Sequence, residues 1–125
     1  MDDETIREEF ILPRDLSAMA KTFFVQTEKP LKGGRWFIKK GSTVTGVKVI
    51  AAGEKIREVQ RLIESFPLPN GTLTKPQNWY KCRGTALITN GTDEEIREIH
   101  WYQCENIGKV EFKTKEWGGE FASQV

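Results

Sequence analysis

Residues 79–104 read WYKCRGTALITNGTDEEIREIHWYQC, and this stretch decides the predicted fold. Polar residues alternate with apolar, aromatic or small ones over residues 80–86 and 98–102, on either side of Asn90-Gly91, and both of these turn residues tolerate the positive φ angles of a tight hairpin turn. The pattern therefore predicts two antiparallel strands, over residues 79–89 and residues 96–104.

The chain continues into a third predicted strand. Asn106 and Gly108 mark another turn, and residues 109–117 again alternate apolar with polar side chains. The C-terminal half is therefore expected to form a three-stranded antiparallel meander.

Upstream of the meander, the sequence predicts two helices and further extended segments. Apolar residues recur at helical spacing in residues 16–24 and, more clearly, in residues 54–66. Residues 43–51 are rich in β-branched side chains and predict a buried strand, while residues 35–38 predict a short extended segment. The predicted fold class is α+β, with two helices packed on an antiparallel sheet that ends in the meander.

A length of 125 residues fits one domain. We expect a flexible acidic tail and short apolar anchor over residues 1–13, a single α+β domain over residues 14–118 and a flexible C-terminus over residues 119–125. The net charge is +1, but residues 1–9 hold five acidic residues and one arginine, so the rest of the chain is basic. A modest basic excess suits RNA, a nucleotide or an acidic protein as partner.

Alternation along the strands predicts a polar face that carries His100, the only histidine. In the third strand, Val110 and Phe112 are expected to be buried together. The polar face then contains Lys81, Arg83 and Thr85 from the first strand, Glu98, His100 and Tyr102 from the second, and Lys109, Glu111, Lys113 and Lys115 from the third.

The turn lengths predict which of these residues lie opposite one another. A two-residue turn at Asn90-Gly91 would place Lys81 opposite His100 and Arg83 opposite Glu98. A four-residue second turn would place His100 opposite Lys113 and Tyr102 opposite Glu111. A slip of two residues in either register would preserve the faces.

Such a face has the groups that metal-independent cleavage of RNA requires: a general base, a general acid and cations for the charged transition state. The candidate catalytic residues are His100, Lys81, Arg83, Lys113 and Glu98. The candidate binding residues are Thr85, Tyr102, Glu111, Lys109 and Lys115. The identity of the base stays open among His100, Glu98 and Glu111, and the competing interpretation is an ordinary solvated sheet face with cross-strand charge pairs.

Other chemistries have less support in the sequence. One histidine and two separated cysteines, Cys82 and Cys104, make a zinc site improbable, and no metal or cofactor is predicted. The cysteines are expected to be reduced and buried in strands. The four tryptophans are expected mainly in the core, with base stacking as the alternative. Both Asn-Gly-Thr triplets are interpreted as turns.

No apolar run approaches the roughly 20 residues that a membrane-spanning helix needs, and the first residues are acidic where a signal peptide is basic. The expected location is the cytoplasm, with no membrane partner. The oligomeric state stays open.

Three motifs, WYK at residues 79–81, EIHWY at residues 98–102 and IGKVEFK at residues 107–113, resemble the C-terminal modules of phage minor head (head-morphogenesis) proteins. The similarity extends back to residues 46–51. Such modules are often toxin-like, and the order of elements is similar to that of barnase, EndoU, colicin and RelE-like endoribonucleases. The chain lacks the histidine pair of EndoU-like enzymes and the strong positive charge of many RNA-cleaving toxins.

This resemblance, together with the polar face, implies a phage-associated endoribonuclease that cleaves RNA, including tRNA, to a 2′,3′-cyclic phosphate. The alternative is a non-catalytic phage protein that binds and inhibits a host defence factor or sequesters a nucleotide signal. If the chain belongs to a larger head protein, a location in the virion is expected instead.

Overall fold

The structure, a computed structural model, describes residues 5–7 and 21–115. In this part of the chain the fold is mainly β, with one α-helix and two short 3-10 turns at Gly53–Lys55 and Pro76–Asn78. The strands are β1 (Thr5–Arg7), β2 (Thr22–Phe24), β3 (Lys29–Pro30), β4 (Phe37–Ile38), β5 (Thr43–Ala52), β6 (Trp79–Thr89), β7 (Glu94–Cys104) and β8 (Gly108–Thr114), and the helix is α1 (Val59–Ser65).

The predicted fold class, with two helices on a sheet, is wrong. The described end of the first predicted helix is strand β2, in which Phe23 is buried while Phe24 is exposed, and Phe23 pairs with Val44 of β5. A run of Thr, Phe, Phe and Val favours this extended form because β-branched and aromatic side chains pack well on a pleated surface. The remainder of the predicted helix, residues 16–20, lies outside the described residues.

The second predicted helix exists but is shorter than expected. Gly53 has a φ of 60°, and the backbone first makes a 3-10 turn before α1 begins at Val59. The helix ends at Ser65, just before Phe66 and Pro67, since the residue preceding a proline disfavours helical geometry. Spacing of apolar residues predicted the buried face of this segment, but not the irregular start.

Strand β6 lies at the centre of the sheet. It pairs antiparallel with β7 on one edge, and with β5 and the short β4 on the other. Strand β8 pairs antiparallel with β7, β3 pairs with β4, and β2 joins β5. A hydrogen bond from Lys32 N to Phe112 O (2.9 Å) links the chain after β3 to β8, so the sheet curls around its first core.

The segments predicted to be flexible fall mostly outside the description. Residues 5–7, within the expected acidic tail, form β1 and pair parallel with β2. The other residues of the segment 1–13, and the C-terminal segment 119–125, lie outside the described residues.

Apolar residues form two cores on opposite faces of the sheet. The first core contains Trp101, which contacts Phe23 edge-on and stacks on Phe112, with ring centroids 5.4 and 5.5 Å apart. The second core lies under α1 and joins Val59, Leu62 and Ile63 of the helix to Trp79, Tyr102 and Cys104 of the sheet. The helix therefore covers one end of the face that the sequence predicted to be polar.

The β6–β7 turn explains a two-residue difference in register. It spans four residues, and Asn90 Oδ1 accepts hydrogen bonds from Thr92 N (2.9 Å) and Asp93 N (2.7 Å). Lys81 consequently lies opposite Tyr102, and Arg83 opposite His100, instead of the predicted Lys81–His100 and Arg83–Glu98 pairs. The slip leaves each side chain on its predicted face.

A β-bulge in β8 changes the predicted faces of the third strand. Glu111 has a φ of 56°, and the register shifts between His100–Lys113 and Tyr102–Val110. The His100–Lys113 pair is the predicted one, whereas the predicted Tyr102–Glu111 pair is wrong. Because Glu111 is the extra residue, Val110 packs in the second core and Phe112 in the first, although both were expected on one face.

Candidate functional site

A histidine–carboxylate pair lies on β7. His100 Nε2 is 2.8 Å from Glu98 Oε2, and the two side chains are 14% and 31% exposed. They share a face because they are two residues apart in one strand. The bond from His100 lowers the pKa of Glu98, partly offset by burial, and Lys115 and Arg83 add favourable charge. Glu98 is therefore held as a carboxylate against the imidazole.

Cations flank His100 on both sides. Cross-strand pairing places Lys48 opposite Arg83, Arg83 opposite His100, and His100 opposite Lys113, so one row crosses strands β5, β6, β7 and β8. We call these four residues the cationic row. Neighbouring strands are about 4.8 Å apart, so the row is about 14 Å wide.

The cationic row differs from the predicted neighbours of His100 in two ways. Arg83 takes the place predicted for Lys81, and Lys48 was not among the candidates. Thr85, a candidate binding residue, lies opposite Glu98 in the adjacent row. Lys48 could have been recognised as a site residue only from the pairing of β5 with β6, because the residues next to it in the sequence do not indicate a polar face.

Next to this row, a small cleft of about 340 Å³ opens between the sheet and the segment that leads into α1. We call it the basic cleft. Its lining includes Lys81 and Lys113 from the sheet, Lys55 and Arg57 from the segment before the helix, and Tyr102 and Glu58. Burial and then the charge of Lys81 lower the pKa of Lys113. The structure thus holds two lysines close enough to repel each other.

A second cleft of about 690 Å³ adjoins the first and shares Glu58, Tyr102 and Lys113 with it. Its carboxylates are held by Arg61, which donates to Glu111 at 2.9 and 2.8 Å and to Glu58 at 2.7 Å. The bond from Arg61 lowers the pKa of Glu58, while the bonds to Glu111 and then Glu58 raise that of Arg61. Glu111 is thereby part of a bridge between α1 and β8.

Tyr102 lies under α1 instead of facing solvent. It is 4% exposed, and its hydroxyl donates a long hydrogen bond of 3.4 Å to Glu58 Oε1. Burial raises the pKa of Tyr102, and the nearby charge of Glu58 raises it further. The prediction that Tyr102 shares a face with the basic residues is confirmed, but that part of the face is covered.

Lys109 lies on the other side of the sheet, contrary to the prediction. Its amino group is 4.5 Å from the centroid of the Phe23 ring, in the first core, and it pairs in register with Gln103. The bulge at Glu111 causes this reversal, since residues before it change face. Lys115, after the bulge, stays beside Glu98 and donates its backbone N–H to Glu98 O at 3.1 Å.

The cysteines and tryptophans are structural in this arrangement. Cys82 and Cys104 are free and buried, as predicted, and burial raises the pKa of each thiol to about 12. Trp36, Trp79 and Trp101 are buried, whereas Trp117 lies outside the described residues. Within residues 21–115, no three His, Cys, Asp or Glu side chains are grouped so that they could hold a metal ion. No helix in the described part is long and apolar enough to cross a membrane.

Comparison of the chain with protein-family models, with curated proteins and with solved structures finds no match. The resemblance to modules of phage head proteins therefore stays a prediction. The features of the structure that bear on function are the cationic row, the histidine–carboxylate pair and the adjacent clefts.

Proposed function

We propose that the chain is a metal-independent endoribonuclease that cleaves RNA, including tRNA, to a 2′,3′-cyclic phosphate. The observation that carries the proposal is the 2.8 Å contact between His100, in the middle of the cationic row, and Glu98 in the adjacent row. A carboxylate that holds an imidazole, next to cations that would bind a phosphate, is the arrangement expected for acid–base chemistry at a phosphodiester.

In the proposed reaction, His100 donates a hydrogen bond from its Nε2–H to Glu98, and its Nδ1 atom accepts a proton. The 2′-hydroxyl loses its proton to Nδ1 as its oxygen forms a bond to phosphorus. The bond from phosphorus to the 5′-oxygen breaks, and that oxygen takes a proton from the ammonium group of Lys113, which becomes a neutral amine. Glu98 acts by fixing the tautomer and orientation of the imidazole, as a carboxylate does in hydrolase triads.

The two remaining cations have a binding role in this proposal. These cations are Arg83 and Lys48. Arg83, on β6, lies opposite His100 of β7 and can donate two parallel hydrogen bonds to the non-bridging phosphate oxygens. The lowered pKa of Lys113 supports its role as proton donor, because an ammonium group with a lower pKa releases its proton more readily. Lys48 extends the positive row toward β5.

The test is incubation of total RNA and purified tRNA with the protein in EDTA, followed by detection of new 2′,3′-cyclic phosphate ends. We expect His100→Ala to reduce the rate by about 10²–10⁴-fold and Glu98→Gln to reduce it by at least about tenfold. Both variants are compared with wild type at matched concentration of folded protein.

Glu95→Gln is the matched control. Glu95 also contacts a cationic side chain two residues away on β7, with Arg97 Nε at 2.7 Å, but it has the opposite strand parity and so lies on the other face. This variant should cleave at the wild-type rate. Absence of cleavage by wild type, or equal cleavage by wild type and His100→Ala, would overturn the proposal. Binding of RNA without turnover would make the chain a binding protein instead.

A further inference from the structure

We infer that the basic cleft is a subsite for a second phosphate group of the same ligand, in which Lys55 and Arg57 act with Lys81 and Lys113. The inference deepens the proposed function and rests on it for the identity of the ligand, which would be a single-stranded RNA lying across both the cationic row and the basic cleft.

The charges in the basic cleft support this inference. Four cationic side chains line it, and among the described residues none of the four is in an ion pair. The carboxylate in the lining, Glu58, is bonded to Arg61 at 2.7 Å and also lies near Lys113, so one negative charge faces four positive ones. The residues of the cleft therefore leave an excess of positive charge, which a bound anion would neutralise.

The position of the cleft supports a ligand with several phosphates. Lys113 belongs both to the lining of the basic cleft and to the cationic row, and Lys81 is two residues from Arg83 along β6. Two residues of a strand span about 7 Å. A polymer with a phosphate at every unit can therefore place one phosphate beside His100 and another in the cleft, whereas a ligand with one phosphate can fill only one of these positions.

The cleft is also shaped by two independent elements, which distinguishes it from a lysine-rich sheet surface. Lys81 and Lys113 are half-buried strand residues, whereas Lys55 and Arg57 come from the irregular segment between β5 and α1. Burial contributes most to the lowered pKa of Lys113, and the charge of Lys81 lowers it further, so the cleft holds two like charges near each other. Repulsion between Lys81 and Lys113 would be relieved by a phosphate between them.

The experiment measures binding of a fluorescently labelled single-stranded DNA of about ten nucleotides, a length within the usual site sizes for single strands. DNA lacks the 2′-hydroxyl that the proposed cleavage consumes, so binding is measured without turnover. We expect the double variant Lys55→Ala/Arg57→Ala to bind about tenfold more weakly. The slope of log affinity against log salt should also become shallower by about 0.7, the value for one phosphate contact on a single strand.

Arg35→Ala/Lys40→Ala is the matched control, because it removes one arginine and one lysine that are exposed and outside both clefts. It should leave the salt slope unchanged. An equal loss of affinity in both double variants would refute the subsite and indicate only general attraction to a basic surface.

Inorganic phosphate and a nucleoside monophosphate serve as further probes. Both should bind much more weakly than the oligonucleotide and compete with it only at high concentration. Tight binding of the monophosphate, unaffected by chain length, would overturn the two-phosphate arrangement.

RNA cleavage separates the two proposals. If wild type binds the DNA through Lys55 and Arg57 but cleaves no RNA, the proposed function fails and the subsite stands. If wild type cleaves RNA, and the Lys55→Ala/Arg57→Ala variant does so with unchanged KM and unchanged DNA affinity, the subsite fails and the proposed function stands.

Discussion

Substitutions at Glu111 should separate the strain in the β8 bulge from the ion pair that offsets it. Glu111 has a φ of 56°, a region that glycine adopts freely and other residues adopt at a cost of about 1–2 kcal/mol. Its carboxylate accepts hydrogen bonds from Arg61 at 2.9 and 2.8 Å. The Arg61 side chain is 47% exposed, so solvent screens the pair and we assign it about 0.5–1 kcal/mol.

Glu111→Ala removes the ion pair and keeps the strain, so it should destabilise the protein by about 0.5–1 kcal/mol. Glu111→Gly removes both the ion pair and the backbone strain, so this variant should be about 1 kcal/mol more stable than the alanine variant and close to wild type in stability. Urea unfolding measures both values, provided that the dependence of the unfolding free energy on urea is the same for all variants.

Glu105 provides the control for this pair of variants. It is exposed in the turn between β7 and β8, and its φ is not positive. At this position glycine should be less stable than alanine by about 0.5–1 kcal/mol, because glycine has more conformational freedom to lose on folding. If glycine is also the less stable choice at residue 111, the bulge stores no strain and the reasoning is wrong.

Two further predictions concern packing in the first core and the pH dependence of stability. Gly84→Ala should destabilise by about 1–3 kcal/mol in the same urea assay, because the added Cβ would lie 2.7 Å from a methyl carbon of Val44 and 3.1 Å from the Trp101 ring; unchanged stability would contradict this packing. The pKa of Glu58 is below its ordinary value of 4.5, so its stabilising contribution is present above about 4.5 and is lost as the pH falls through its folded pKa. The unfolding free energy of Glu58→Gln should therefore be lower at neutral pH and fall less on acidification, whereas parallel pH profiles would show that Arg61 contributes nothing through Glu58.

The sequence predicts strands well where residue pattern alone defines them, and less well where a turn or bulge intervenes. Strand β6 has the predicted bounds, and polar residues alternate with apolar or small ones along most of its length, from Tyr80 to Ala86. The register of its partner differs because Asn90 bonds to two backbone amides, which makes a four-residue turn. The bulge at Glu111 was not predictable, since a glutamate with positive φ has no signature in sequence.

The candidate site was likewise predicted correctly where strand pattern defines it and missed where other elements contribute. Strand parity placed Glu98, His100 and Lys113 on one face, and the structure brings them together. Parity cannot place Lys55 and Arg57, which reach the basic cleft only because α1 packs over the far end of that face. The fold class was wrong for a related reason: short aromatic and β-branched segments near a predicted sheet can fit helical spacing and still pair as strands.

The position of α1 also determines how exposed the cations of the basic cleft are, and therefore how strongly they would attract an anion. Along one face of β6, β7 and β8, Tyr102 is buried under the helix, while Lys81 opposite it and the row at His100 retain some exposure. Lys81 and Lys113 are half-buried near the edge of the helix, where the effective dielectric is lower than in bulk water and solvent can still enter. A charge there attracts a phosphate more strongly than a fully exposed lysine does. The bulge at Glu111 contributes to this placement, because it lets Val110 anchor β8 in the second core while Lys113 stays opposite His100.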